Sequence, residues 1–297
     1  MDDLRGKSVV ITGAGSGFGR AFALRAAAEG MKLVLADIQA DALDATCALL
    51  PADTEVLARV VDVADGAAVE GLATDAVAAF GPVHLVFNNA GVGAGGLLWE
   101  NSEADWAWAL GVNLWGVIHG IRAFVPRMLA WADADPAYRG HVVNTASMAG
   151  LLNPPLSGVY NVSKHAVVSL SETLHHDLAL VSDRVHASVL CPYYVPTGIA
   201  HSARNRPTGQ ACDATRSQKV AEALVEKAVE SGRVSASDVA ALTFEAVREG
   251  RFYIVSHPKA LGAVVQRAEA LAALAPPDDP FAGRAGLRES LREALAG

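Results

Sequence analysis

Short apolar runs and alanine-rich amphipathic stretches alternate along most of this chain. Ser8-Val9-Val10-Ile11-Thr12 and Lys32-Leu33-Val34-Leu35-Ala36-Asp37 predict two buried strands, and residues 20–29 between them predict a helix closed by Gly30. Strand, helix and strand in that order make a βαβ unit, which requires parallel pairing. The rhythm continues with a helix over 41–50, a strand over 55–61, a helix over 67–80 stopped by Gly81-Pro82, and a strand over 84–88. A helix over 103–112 runs on towards a longer one ending near Ala132, a fifth strand covers 141–145, and a long helix covers 159–180. Strands over 185–190 and 251–255 follow. Strands that read as unbroken apolar runs are buried on both faces. With helices between them they predict an α/β fold, a doubly wound parallel sheet of about seven strands with helices on both faces.

The rhythm breaks twice. About sixty residues separate the sixth and seventh strands, too many for an ordinary connection. Residues 200–215 within it are polar and include Pro207 and Gly209, so 198–237 reads as a lid over a site. Helices are predicted over 220–229 and from a Ser237-Asp238 cap to Arg248. After the last strand, 259–274 predicts a helix, 275–280 a proline-rich linker and 284–295 a final amphipathic helix. The expected organisation is one catalytic domain over 1–275, lid included, and a C-terminal extension over 276–297 with a short helix.

Composition narrows the function classes. Of 297 residues, 52% are hydrophobic and 19% charged, which allows a large core and argues against disorder. The net charge is −8 and no basic run is clustered, which excludes a nucleic-acid footprint. Cys47, Cys191 and Cys212 lie far apart with no CxxC pair, so neither a zinc site nor a disulfide framework is expected, and a reducing compartment is the simplest setting. No signal-peptide pattern opens the chain and no apolar run approaches a membrane span, so a cytoplasmic protein without membrane partners is expected.

The first strand runs into Thr12-Gly13-Ala14-Gly15-Ser16-Gly17-Phe18-Gly19, and a helix follows. Glycines let the backbone turn tightly and approach a pyrophosphate; the helix N-terminus beyond them offers N–H groups and the positive end of a dipole. Thr12, Gly13, Gly17 and Gly19 spell TGxxxGxG, and from about residue 5 to 258 the chain resembles the classical short-chain dehydrogenases/reductases, a Rossmann-type family. Asp37 closes the second strand, where a carboxylate accepts hydrogen bonds from the adenosine ribose and repels a 2′-phosphate, selecting NAD. The resemblance implies further cofactor contacts from Gly15, Ser16 and Phe18, and from Asp62 and Val63 after the third strand. It implies others from Asn89, Ala90 and Gly91, since Asn88-Asn89-Ala90-Gly91 matches the family's NNAG. Where the family has PGxVxT, this chain reads Pro192-Tyr193-Tyr194-Val195-Pro196-Thr197. Pro192, Val195 and Thr197 fit the nicotinamide contacts, whereas Tyr193 in place of glycine narrows the site or lines the substrate pocket.

Tyr160-Asn161-Val162-Ser163-Lys164 sets Tyr160 and Lys164 at i and i+4, on one helix face. A free tyrosine titrates at about 10, and a nearby ammonium favours the phenolate, so the pair makes a tuned proton donor and acceptor. Ser147 and Asn113 match the family's other catalytic positions. The resemblance implies that Tyr160 takes the alcohol proton while hydride passes to the nicotinamide, and that Ser147 hydrogen-bonds the substrate oxygen. It implies that Lys164 lowers the Tyr160 pKa and holds the nicotinamide ribose beside Tyr160, and that Asn113 supports a water chain to solvent.

The expected reaction is reversible NAD-linked oxidation of a secondary alcohol to a ketone. A hydrophobic, medium-sized or aromatic substrate is expected, held by Ser147, Leu152, Tyr193 and His201. His175-His176 point about 100° apart on a helix, a poor metal pair, and no metal is expected. His84 and His186 read as core residues, and Trp99, Trp106, Trp108 and Trp115 as packing residues. The helices after Asn113 and from residue 159, with Ala166, Val167, Leu170 and Leu174, are expected to pair subunits in a homodimer or homotetramer. Two other readings stay open. One is a catalytically silent dinucleotide-binding sensor or scaffold, against which an intact Ser147, Tyr160 and Lys164 argues. The other is an epimerase or dehydratase of the extended branch, which favours GxxGxxG and a longer substrate domain.

Overall fold

The computed structural model describes residues 1, 3–207 and 213–296. The middle of the expected lid, with Gly209 and Cys212, lies outside the described residues. Seven strands pair in parallel throughout: β1 (Ser8–Thr12), β2 (Lys32–Asp37), β3 (Val56–Val60), β4 (Val83–Asn88), β5 (Gly140–Thr145), β6 (Val185–Cys191) and β7 (Tyr253–Val255). Their order is β3-β2-β1-β4-β5-β6-β7. The chain therefore winds outwards from β1 to one edge, returns to the centre at β4 and winds to the other edge. Crossovers on either side of the β1/β4 boundary run in opposite directions, which opens a crevice beyond the strand ends there.

Period-two alternation along the strands feeds two cores. Val9, Ile11, Leu33 and Leu35 meet α1 (Gly17–Ala28) and α8 (Ala236–Glu249), while Val10, Val34 and Val86 meet α3 (Gly66–Phe80), α5 (Gly116–Ala134) and the second half of α6 (Gly158–Val181). On the first face Phe22 stacks on Phe87 at 4.4 Å between centroids, and Phe87 meets Phe244 at 5.6 Å. Each such fully buried ring contributes about 1.5–3 kcal/mol by leaving water. These contacts fix α1, and with it the glycine loop, against the sheet.

The structure corrects several predicted elements. β3 is an edge strand, with no strand beyond it among the described residues, and its Val56 and Val60 are exposed. The helix predicted to run through 112 ends as α4 (Glu103–Leu110), and a π-helical turn, Gly111–Trp115, separates it from α5. The cap of α8 is Ser235, not Ser237, and Asp238 closes its capping box. The sixty-residue break carries a 3-10 turn, Gly198–Asn205, and α7 (Arg216–Glu230). Beyond β7, α9 (Leu261–Ala272) and α10 (Ala285–Ala296) fold back, and Leu271, Phe281 and Leu287 line the same cavity as the glycine loop. Phe281 and Leu287 of the C-terminal extension thus form part of that cavity's wall. No helix among the described residues is long and apolar enough to cross a membrane.

Candidate active site

A cavity of about 1650 Å³ opens at the carboxyl ends of β1 and β4. Its floor at one end is the loop between β1 and α1. Gly13 takes φ 67°, and a Cβ there would lie 2.8 Å from the Ala90 Cα, so the loop after β4 is seated directly on it. Thr12 locks the two together: its hydroxyl donates to the Phe87 carbonyl at 3.2 Å and accepts from the Asn89 and Ala90 N–H groups at 2.9 and 3.1 Å. Ser16 stands at the N-cap of α1 without a side-chain capping bond, and Ser16, Gly17 and Phe18 line the cavity. A helix N-terminus left uncapped by side chains suits a phosphate.

Asp37 lines the same end. Its carboxylate accepts from the Gly15 N–H at 2.8 Å and the Gln39 N–H at 2.9 Å, tying the glycine loop to the turn after β2. Asp62 accepts from the Ala64 N–H at 2.9 Å, and Asp62 and Val63 line the neighbouring wall. Asn89, Ala90, Gly91, Pro192, Val195 and Thr197 also border the cavity. Gly15 and Gly19 do not; Gly15 acts through its bond to Asp37, and Gly19 packs against the Gly13 carbonyl.

At the other end stand Ser147, Tyr160 and Lys164. Ser147 follows β5 and begins a short 3-10 turn, its hydroxyl accepting from the Ala149 N–H at 3.1 Å. A Cβ on Gly150 would lie 2.6 Å from the Lys164 carbonyl oxygen, so only glycine lets this turn press against α6 and bring Ser147 beside Tyr160. Lys164 is buried; its Nζ donates to the Thr145 carbonyl at 2.9 Å and lies 5.7 Å from the centre of the Tyr160 ring. Burial pushes the ammonium down to about 8.

The expectation that Lys164 lowers the Tyr160 pKa is corrected here. Burial pushes the phenol up to about 12, a hydrogen bond with Ser147 pulls it the other way, and Tyr194 adds to the rise. The phenol is thus a protonated donor at neutral pH. Asn113 sits in the π-helical turn and is fully buried. Its Oδ1 accepts from the Val92 N–H at 2.8 Å, and its Nδ2 donates to the Val92 carbonyl at 2.9 Å and the Ser163 hydroxyl at 3.1 Å. The side chain is engaged with protein and does not reach the cavity. π-turns recur at functional sites, and this one aims an amide at the loop after β4.

Leu152 and Tyr193 line the cavity, Tyr193 being 43% exposed and facing His257 with ring centroids 5.8 Å apart. His201 does not. Its side chain is 62% exposed and its Nε2 lies 3.6 Å from Glu226 on α7, on the solvent side of the 3-10 turn, so it is removed from the expected substrate contacts. Two groups escaped the sequence reading. Tyr194, whose ring lies 4.5 Å from that of Tyr193, also lines the cavity and raises the Tyr160 pKa. Asp105 joins three segments: it accepts from the Ser102 N–H and hydroxyl, pairs with Arg206, and accepts from Gln218 Nε2 at 3.3 Å. The Arg206 guanidinium lies 4.7 Å from the Trp108 ring centre, and both line the cavity. Nothing local marks Asp105 beyond its S-x-x-D capping box. Among the described residues no group of three or more His, Cys, Asp or Glu is placed to hold a metal ion.

Comparison with known proteins agrees with this geometry. A short chain dehydrogenase/reductase from Burkholderia phymatum, crystallised in complex with NAD, is 54% identical, with 94% of this chain and 99% of that chain covered and a TM-score of 0.91. A CLA biosynthesis dehydrogenase/reductase of Lactiplantibacillus plantarum is 33% identical over 87% of this chain and 91% of its own. A 1-deoxy-11-beta-hydroxypentalenate dehydrogenase of Streptomyces exfoliatus is 36% identical over 86% of this chain and 85% of its own. The short chain dehydrogenase family model matches residues 7–208. The chain belongs to the short-chain dehydrogenase family.

Proposed function

We propose that the protein catalyses the reversible NAD-linked oxidation of a secondary alcohol to a ketone, acting on a hydrophobic substrate of medium size. The observation that carries this reading is one cavity with Ser147, Tyr160 and Lys164 at one end and the glycine loop with Asp37 at the other. The residues fit NAD: an uncapped helix N-terminus for the pyrophosphate, and a carboxylate where an adenosine ribose would hydrogen-bond and a 2′-phosphate would be repelled. The NAD complex of the Burkholderia relative supports the same choice. When bound, NAD supplies the hydride acceptor and a positively charged nicotinamide ring.

The protein supplies placement and proton transfer. Ser147 orients the substrate oxygen, and Tyr160 takes its proton in oxidation and returns it in reduction. The phenol held protonated by burial suits the reductive direction at neutral pH; in oxidation, positive charge beside it favours the phenolate. Lys164, fixed by Thr145, holds the nicotinamide ribose. Asn113 is a positioning residue that fixes Val92 and Ser163. Leu152, Tyr193, Trp108, Phe281 and Leu287 give the substrate end an apolar lining. The relative named as a hydroxypentalenate dehydrogenase supports an alcohol substrate.

The protein also self-associates in this reading. Val167 and Leu174, expected at a subunit interface, are instead buried in the protomer's own core, so the pairing surface is the exposed side carrying Trp115, Val162 and Leu180. The function is tested by incubating a panel of secondary alcohols with NAD and following NADH absorbance. NADH formation is expected; none across the panel from a protein that binds NADH would favour the silent sensor.

A further inference from the structure

Arg204 occupies no position that the family pattern assigns to the cofactor, yet its guanidinium spans the cofactor end of the cavity. It rises from the 3-10 turn after β6 and reaches the turn after β2, its Nε donating to Gln39 Oε1 at 3.3 Å. Its Nη1 donates to two carbonyls of its own turn, Gly198 at 3.1 Å and His201 at 2.8 Å. A Cβ built on Gly198 would lie 3.2 Å from Nη2, and one built on Gly17 would lie 3.3 Å from the Thr197 side chain. Thr197 therefore rests on the glycine loop, and the guanidinium stands beside the next residue, over the same edge.

Two further features point to an anion. Among the described residues no carboxylate pairs with Arg204, whereas Arg206 on the same cavity pairs with Asp105. And the N-terminus of the twelve-residue helix α1, on the facing side, lacks a side-chain cap. A positive helix end and a guanidinium with no carboxylate partner among the described residues make a clamp for a phosphate, and Nη2 keeps two N–H donors for its oxygens while Nε and Nη1 hold the protein.

We propose that Arg204 is a ligand of the cofactor pyrophosphate and couples its binding to the wall of the substrate end. The coupling follows from the bonds that Nη1 already makes. The carbonyls it holds belong to the turn carrying Ile199 and Ser202, and the Ser202 hydroxyl accepts from the Gly93 N–H at 2.9 Å and donates to the Ile199 carbonyl. A phosphate held by Arg204 thus steadies Ile199 and Gly93, which both line the cavity. The inference rests on the NAD reading above.

The test is the affinity of the whole protein for NADH, ADP-ribose, NADPH and adenosine, measured by calorimetry for wild type, Arg204→Ala and Arg204→Lys. Arg204→Ala should weaken NADH and ADP-ribose by about tenfold to a hundredfold, the size of lost charge-assisted hydrogen bonds, and leave adenosine, which carries no phosphate, within about twofold. Arg204→Lys, which keeps the charge and loses the planar donor set that bonds Gln39, Gly198 and His201, should fall between. Unchanged NADH and ADP-ribose affinities would overturn the proposal, as would an equal loss for adenosine. Loss confined to NADPH would also overturn it, because the guanidinium would then face the ribose edge. A wild type that fails to bind NADH would sink the NAD reading itself, whereas a wild type that binds it as well as Arg204→Ala does would sink this inference alone.

Discussion

The two ends of the cavity are built by different means. At the cofactor end the geometry is set by main-chain groups. Thr12, Asp37, Asp62 and Asn113 each accept backbone N–H groups, and the loops they join follow the strands directly. At the substrate end the walls are side chains from segments far apart in the chain, among them Trp108, Leu152, Tyr194, α7 and α10. The family match ends at residue 208, so the parts of that wall from α7 and α10 lie beyond it. A backbone cradle tolerates few sequences and leaves a legible motif, whereas an apolar wall can be assembled from many. The reaction class is therefore written locally, and substrate choice is written in the tertiary fold.

The sharpest way to separate the two ends is to remove the chemistry and keep both. Tyr160→Phe should lower turnover by about two to four orders of magnitude, the usual contribution of a general acid/base, with NADH affinity unchanged. Stopped turnover accompanied by lost NADH binding would mean the ring serves the cofactor end instead. Lys164→Ala straddles the comparison. It should lower kcat by less than Tyr160→Phe and weaken NADH at the same time, because in the proposed reading the ammonium holds the ribose and stands 5.7 Å from the centre of the Tyr160 ring; steady-state kinetics with NADH titration reads both.

Two smaller effects should stay on their own side. Asp37→Ala should relax the preference for NAD over NADP by about tenfold or more in kcat/KM, an effect of one or two kcal/mol from a lost repulsion, without changing which alcohols react. Asp105→Ala should do the reverse. Burial pushes the Asp105 carboxyl up, but Arg206 and Ser102 pull it further down, below its ordinary range. A carboxylate held low stabilises the fold above its unfolded pKa, and that stability is lost as pH falls through the acid range. Removing it takes away the ion pair with Arg206 and the acceptor of Ser102 and Gln218 at a largely buried site, at about 1–3 kcal/mol. The variant should melt earlier at pH 7, with the difference from wild type shrinking in acid. Its substrate KM should rise while its NADH affinity holds. An unchanged KM would show that the Asp105 junction does not shape the substrate end.

The same contrast explains what the sequence could and could not tell. The glycine loop, Asp37 and the Tyr160–Lys164 pair were legible because a strand end, a helix start and an i, i+4 spacing determine where those side chains go. The seven-stranded parallel sheet was legible from alternation alone. His201 was misplaced because one residue's turn around a 3-10 segment decides between cavity and solvent, and no periodicity records it. Tyr193 lines the cavity as expected, and Tyr194 beside it lies in the irregular segment after β6, where no periodicity assigns its side chain. The pKa of Tyr160 was expected to fall because spacing reveals the ammonium but not the burial, and burial raises it. The π-helical turn at Asn113 interrupts a stretch whose composition favours an unbroken helix, so only the fold reveals it.

The central claim is that Tyr160 passes the proton, and the pH profile of NAD-linked alcohol oxidation tests it most directly. Oxidation requires the phenolate, so the wild-type rate should rise with pH. Burial pushes the phenol up to about 12, while its bond to Ser147 and a cationic nicotinamide beside it pull it down, so the rise should lie on the alkaline side of neutrality. Reduction requires the phenol and should fall over the same range. The residual activity of Tyr160→Phe should be flat there. A variant that keeps the wild-type rise would contradict the account, because the titrating group would then be some other residue of the cleft.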